Sequence, residues 1–282
     1  MPELPEVETV LRGLNQVTLN QEITGGDVLL ARTIAHPLSV GEFLSGVQGT
    51  AIAQWHRRGK YLLAELSKSP TQPAGALGVH LRMTGQLLWL HSCEPLQKHT
   101  RVRLFFAGEN ELRFVDQRTF GQMWWVPPKV APESVITGLG RLGVDPFSPE
   151  FSVEHLAGKL KNRRRPIKTA LLDQAVVAGL GNIYADEALF LSRVRPETLC
   201  TDLQPEQISR LRTAIVQVLE ASIAAGGTTF SNFLNVQGIN GNYGGVAWVY
   251  NRAGEPCRIC GTPIQRIRLA GRSTHFCPQC QH

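Results

Sequence analysis

Cys257-Arg258-Ile259-Cys260 and Cys277-Pro278-Gln279-Cys280 stand sixteen residues apart near the end of this 282-residue chain, and their spacing decides how its last segment folds. Each Cys-x2-Cys pair forms a tight turn that aims two thiolates at one metal. Two such pairs at this separation point to a closed tetrahedral zinc site with Cys257, Cys260, Cys277 and Cys280 as ligands. The 26 residues from Cys257 to His282 cannot bury enough apolar surface to fold alone, so the metal supplies the stability. Four thiolates leave no open coordination position, which makes the ion structural. The same segment carries Arg258, Arg266, Arg268 and Arg272 and no acidic residue, and the turn between the pairs is expected to present Arg272 outward. Cys93 and Cys200 stand apart and are expected to be reduced and incidental.

Upstream, apolar residues recur with helical spacing. Ile208, Leu211, Ile215, Val218, Leu219 and Ser222 share one face of a helix that starts near Pro205 and ends at Gly226-Gly227. Shorter helices are predicted over 153–160, 167–172 and 182–192, and residues 226–247, rich in glycine, form a loop. Before residue 126 the pattern is of β-rich runs at 50–54, 61–66, 86–90, 102–106 and 111–115, punctuated by Gly and Pro, which reads as a sandwich or barrel. Residues 131–150 are the expected linker. A short amphipathic helix leads the chain, from Pro5 to about residue 19, with Val7, Val10, Leu11 and Leu14 on one face.

The formal charge is +6 with arginine prominent, including Arg163-Arg164-Arg165 with Lys168 beyond, which suits a phosphate-bearing partner. No apolar run approaches the roughly 18 residues of a spanning helix. The acidic start, MPELPEVETV, lacks a signal core, so a cytoplasmic protein without membrane contact is expected.

Proline after Met1 is small enough for the initiator to be removed, which exposes a secondary amine at Pro2. An N-terminal amine with a pKa of about 8 is roughly 10% neutral at pH 7, whereas a lysine with a pKa of about 10.4 is almost wholly protonated. Only the neutral form attacks carbon. Glu3 and Glu6 lie beside this amine and can donate or shuttle a proton.

The string PELPEVETV, together with RRGKYLL at 57–63, HLRMTGQL at 80–87, DQRTFGQM at 116–123, GLGNIYADEALF at 179–190, GGTTFSNF at 226–233 and GRSTHFCPQCQ at 271–281, resembles the formamidopyrimidine-DNA glycosylase family over essentially the whole chain. The resemblance implies an α+β protein. It has a catalytic β-sandwich domain with a leading helix over 1–130, a helical helix–two-turns–helix domain with a lesion-binding loop over 151–248, and a zinc ribbon over 249–282. It implies a bifunctional glycosylase and abasic-site lyase of base excision repair, acting on 8-oxoguanine opposite C and on ring-opened purines. The partner is double-stranded DNA holding oxidised bases or abasic sites, and the enzyme is expected to be a monomer associated with a bacterial nucleoid.

On this reading Pro2 attacks C1′, Glu3 is the general acid at the sugar oxygen, and Glu6 supports it. Lys60 donates a proton at the lesion phosphate, and Arg272 grips phosphate in δ-elimination. Met83, Arg118 and Phe120 fill the hole left by the flipped base. Arg118 offers only donors, which match cytosine and not adenine. His99, Arg163, Lys168 and Asn182 are expected DNA contacts, Asn182 as a helix N-cap whose neighbouring N–H groups face phosphate. The sister family, endonuclease VIII, runs the same chemistry on oxidised pyrimidines, but Leu4 and the Met83, Arg118 and Phe120 set fit the purine branch better. A non-catalytic zinc-ribbon binder of damaged DNA is the rival from another class. The chain departs from the family pattern at Asn251, where a glycine is usual; Asn tolerates a left-handed backbone, so the turn is expected to survive.

Overall fold

The computed structural model describes residues 1–69, 71–228 and 235–282. The chain divides into two units, Met1–Gly140 with Gly226–Gly241, and Arg141–Ala225 with Asn242–His282.

The first unit opens with helix α1 (Leu4–Val17), which starts where Pro5 fits its first turn and Glu6 Oε2 accepts the Glu3 N–H at 2.7 Å. The predicted spacing holds, and Val7, Val10 and Leu14 are wholly buried. Asn15 imitates a strand partner for Trp55, accepting its backbone N–H at 2.9 Å and donating to its carbonyl at 3.2 Å. Among the described residues nine strands make one sheet: β1 (Glu22–Val28), β2 (Ile34–His36), β3 (Thr50–Arg58), β4 (Tyr61–Ser69), β5 (Gln72–His80), β6 (Gly85–His91), β7 (Thr100–Phe106), β8 (Asn110–Asp116) and β9 (Gln122–Val126). Their order is β2-β9-β5-β4-β3-β1-β7-β8-β6, and all pairs are antiparallel except β2 with β9. Strand β1 joins the halves, pairing with β3 through Glu22 and Ile23 and with β7 from Ile23 to Val28, with an irregularity after Ile23. Ile52, Leu62 and Leu77 from one half and Leu87, Val102 and Phe114 from the other share one core, which is the sandwich arrangement.

The five expected β-rich runs all lie in strands. Helix α2 (Val40–Val47) and strands β1, β2, β5 and β9 are additional. In β5 the glycines are required by close approach. A Cβ on Gly78 would lie 2.5 Å from Ile136 Cδ1, and one on Gly75, at φ +100°, 2.1 Å from the Val126 carbonyl oxygen. Residues 131–150 carry helix α3 (Pro132–Val135) and a 3₁₀ turn at Leu139–Arg141, with Ile136 and Leu139 buried.

The second unit holds α4 (Val153–Leu160), α5 (Ile167–Leu171), α6 (Asn182–Leu191) and α7 (Pro205–Ala224). Helix α7 buries the six residues assigned to its inner face, and Ser222 among them is satisfied by the Tyr184 hydroxyl at 2.5 Å. Helix α6 is buried from Ile183 to Phe190, including two carboxylates. Glu187 accepts the N–H groups of Trp248, Val249 and Tyr250 at 2.7, 2.9 and 2.9 Å, which ties the approach to the ribbon onto the helix. The ribbon is the hairpin of β10 (Gln265–Leu269) and β11 (Arg272–Phe276). Asn251 sits at φ +59°, the left-handed conformation anticipated where a glycine is usual.

Candidate active site and nucleic-acid interface

In the first unit, a cavity of about 430 Å³ is lined by Met1, Pro2, Met83, His99 and Arg118, among others. Five elements deliver the groups around it. Pro2 and Glu3 precede α1; Lys60 lies in the two-residue turn between β3 and β4; Met83 lies between β5 and β6; His99 precedes β7; and Arg118 and Phe120 lie between β8 and β9. Pro2, Glu3, Glu6 and Lys60 are all buried. Burial lowers the amine at the chain start below its ordinary pKa. Glu3 and Glu6 oppose that shift, while Lys60 and Arg118 add to it. This amine is that of Met1, whose neighbour Pro2 lines the same cavity.

Two polar residues in the quoted motifs were not singled out from sequence. His80 is buried against the Tyr61 ring, and burial, with Arg82 and Lys60 nearby, pushes its pKa down to about 3. Its Nδ1 accepts the Arg82 N–H at 2.9 Å, so the proton sits on Nε2 and a neutral donor stands near Lys60. Asp116, also buried, accepts the Gly121 N–H at 2.7 Å and the Arg118 N–H at 3.2 Å, and receives the Thr84 hydroxyl at 2.5 Å. It thereby fastens the loop of Arg118 and Phe120 to the loop of Met83. No local periodicity signals either residue, because their partners are brought together by strand pairing.

Phe120 is 52% exposed, unlike a core aromatic, and the Arg118 guanidinium lies 4.9 Å from its ring. His99 Nδ1 faces an Arg101 N–H at 3.2 Å, which leaves Nε2 as its donor. Of the glycine-rich segment, Thr228 is bound to Glu6 and Val236 is buried in the core, while residues 229–234 of the expected lesion-binding loop lie outside the described residues.

In the second unit, Arg272 is exposed at the start of β11. Asn182 is the first residue of α6, with Gly181 as the cap, and its Nδ2 donates to the Ser273 carbonyl at 3.0 Å. The expected N-cap role therefore passes to Gly181. Arg163 is partly exposed and shares Asp173 with Arg165, at 3.1 and 2.8 Å. Burial works against the Asp173 carboxylate, but its bonds from Arg165, the Ala175 N–H and Arg163 hold its pKa below the usual value.

Lys168 requires a correction. Its ammonium is fully buried, 2.6 Å from Asp186, and donates at 2.8 Å to both the Ser273 carbonyl and the Thr274 hydroxyl. A lysine without solvent exposure cannot meet a phosphate. It fastens β11 to α6, and a basic run in the sequence could not reveal the buried aspartate that receives it.

The four cysteine Sγ atoms lie within 4.8 Å of one another. Zinc–sulfur bonds of about 2.3 Å at tetrahedral angles demand sulfur pairs about 3.8 Å apart. The Cys257–Cys280 and Cys260–Cys277 separations are 3.9 and 3.5 Å, so the donor set fits one structural zinc. Further support for the fit comes from Gln281, whose Oε1 accepts the Cys277 N–H at 2.9 Å and so orients that turn.

Residues 1–123 match the formamidopyrimidine-DNA glycosylase N-terminal domain, residues 142–233 the H2TH domain of the same enzymes, and residues 254–282 the zinc finger found in FPG and IleRS. The chain belongs to the formamidopyrimidine-DNA glycosylase family. The family member of Nostoc punctiforme is 79% identical over 281 residues, covering 100% of this chain and 96% of the relative. That of Synechococcus is 62% identical, covering 100% and 99%. Among solved structures, the Thermus thermophilus Fpg protein is 37% identical with a TM-score of 0.87, covering 99% of this chain and 98% of the other. A Lactococcus lactis Fpg bound to DNA containing an abasic site is 33% identical with a TM-score of 0.89, covering 99% of each chain. No helix among the described residues is long and apolar enough to cross a membrane.

Proposed function

We propose that this formamidopyrimidine-DNA glycosylase excises oxidised purines, 8-oxoguanine opposite C and ring-opened purines, from duplex DNA through the Pro2 amine and then nicks the strand. The observation that carries this reading is a cavity lined by Pro2, Met83 and Arg118, beside which the partly buried Met1 amine lies in the fields of Glu3, Glu6 and Lys60. Once Met1 is removed, the same surroundings act on the Pro2 nitrogen and keep more of it neutral near pH 7.

The Pro2 nitrogen forms a bond to C1′, and the base leaves with the electron pair of the glycosidic bond. Glu3 protonates the sugar ring oxygen, so the ring opens to an iminium. That cation acidifies the adjacent C–H. Loss of this proton expels the 3′ phosphate by β-elimination, with Lys60 as proton donor at the lesion phosphate. A second elimination releases the 5′ phosphate with Arg272 gripping it. Glu6 holds Glu3, through its backbone N–H, in the geometry of the first step.

Base flipping costs a few kcal/mol of unstacking. Exposed Phe120 is suited to wedge into the vacated stack, with Met83 and Arg118 beside it, and Arg118 reads the cytosine left without a partner. His99, Arg163 and Asn182 contact backbone phosphates. The enzyme acts as a monomer in the bacterial cytoplasm, on the nucleoid. Single-turnover excision from 8-oxoguanine·C, 8-oxoguanine·A and thymine glycol duplexes tests the reading. It requires the first substrate to be fastest, and preference for thymine glycol would favour an endonuclease VIII-like activity instead.

A further inference from the structure

The Glu8–Arg57 ion pair reaches further than the docking of one helix. Glu8 lies on α1, one turn inside the end that carries Pro2 and Glu3, and its Oε2 accepts the Arg57 Nε–H at 2.8 Å. Arg57 is the next-to-last residue of β3, and its Nη1 donates at 3.2 Å to the carbonyl of Gly59. Gly59 and Lys60 are the two residues of the hairpin turn, since Arg58 pairs with Tyr61. Gly59 takes the left-handed conformation, φ +58°, at the first position of that turn. The two side chains of the pair are 8% and 16% exposed, so water competes poorly for these bonds.

One planar guanidinium therefore holds the helix with one edge and the turn of Lys60 with another. A guanidinium presents its donors in a fixed fork, which transmits position in a way that a flexible ammonium does not. Helix α1 has other anchors: Val7, Val10 and Leu14 in the core, and Asn15 on Trp55. Losing Arg57 leaves those anchors in place, whereas the turn loses the link that Arg57 makes to the helix.

We propose that Arg57, oriented by Glu8, is a positioning residue that sets the Lys60 ammonium relative to the Pro2 amine. This rests on the assignment of Pro2 to attack and of Lys60 to elimination. The consequence is separable in kinetics. Attack at C1′ uses groups at the start of α1 and persists when Arg57 is removed. Elimination uses Lys60 and slows, so the covalent intermediate accumulates ahead of the nicked product.

The test is a single-turnover reaction of the full-length zinc-loaded enzyme with an abasic-site duplex, quenched with borohydride. The ratio of trapped adduct to nicked strand is read early in the time course. Arg57→Met and Arg57→Lys are expected to raise the ratio by roughly five-fold, because a lysine cannot reach both acceptors in the same geometry. Glu8→Gln keeps an oxygen that accepts the Nε–H and is expected to stay within about two-fold of the parent. Glu8→Ala, which leaves the bond to Gly59 intact and serves if the Arg57 variants fail to fold, is expected to raise the ratio about two-fold. An unchanged ratio in Arg57→Met, or in Glu8→Ala should Arg57→Met not fold, with adduct and product falling together, shows a purely structural pair and overturns the inference. Absence of any adduct in the parent enzyme overturns the assignment of Pro2 and this inference with it.

Discussion

Glu6 Oε1 accepts the backbone N–H of Thr228 at 2.9 Å, so a carboxylate inside the first helix holds a residue 222 positions further along the chain. Its other oxygen accepts the Glu3 N–H at 2.7 Å. One buried side chain thus fastens both the turn that carries the proposed acid and the start of the glycine-rich segment. Gln at this position must direct an amide N–H at one of the two N–H donors. Glu6→Gln is expected to lower Tm by roughly 3–8 °C and slow excision about ten-fold or more, measured by calorimetry and single-turnover kinetics.

Asp116 orders the loop of Arg118, which is proposed to face the base left unpaired. Asp116→Ala is expected to lower the ratio of excision rates on 8-oxoguanine·C and 8-oxoguanine·A by roughly ten-fold, while cleavage of an abasic-site duplex changes less. Equal losses on all three substrates would assign Asp116 to stability alone.

The distant contacts of these two carboxylates mark where sequence reasoning stops. The zinc ligands, the inner face of α7 and the buried face of α1 were legible because each depends on local spacing. Lys168 was misread because its partner, Asp186, lies on another helix, and the charge of a basic residue says nothing about whether it is solvated. Strand β5 escaped because Gly75 and Gly78 depress its β-propensity, although the Val126 carbonyl and the Ile136 side chain leave no space for a Cβ there. Helix α2 escaped because it is only eight residues long and two of them are glycines, which disfavour a helix.

Gly13 is a second place where the glycine-rich segment meets α1. A Cβ there would lie 2.4 Å from Val236 Cγ2, but 3.5 Å from Val236 Cβ. Ala favours a helix over Gly by about 1 kcal/mol, yet overpacking of this kind costs about 1–3 kcal/mol. Gly13→Ala is therefore expected to lower Tm in the parent and to raise it, or leave it unchanged, in a Val236→Ala background. A double-mutant cycle by thermal denaturation reads this reversal of sign.

His80 gives a pH signature. Its folded pKa of about 3 lies below the ordinary value of 6.5, so between those pH values the unfolded chain binds a proton that the folded chain does not. Stability from this group is complete above about pH 6.5 and is lost as pH falls toward 3, by at most about 1.4 kcal/mol per pH unit. Tm measured from pH 7 to 4.5 is expected to fall less steeply in His80→Asn than in the parent.

The ribbon depends on its metal. Chelation, or Cys277→Ser, is expected to release zinc and open the β10–β11 hairpin to proteolysis at Arg266 and Arg268, and to weaken duplex binding by roughly ten-fold or more. Zinc quantification beside limited proteolysis tests the coupling.

The most direct measurement is peptide sequencing of the borohydride-reduced cross-link formed with an 8-oxoguanine·C duplex. The account predicts a deoxyribose carbon on the nitrogen of Pro2, at a chain start from which Met1 has been removed. A sugar on Lys60 or any other nitrogen, or an active enzyme that retains Met1, would contradict it.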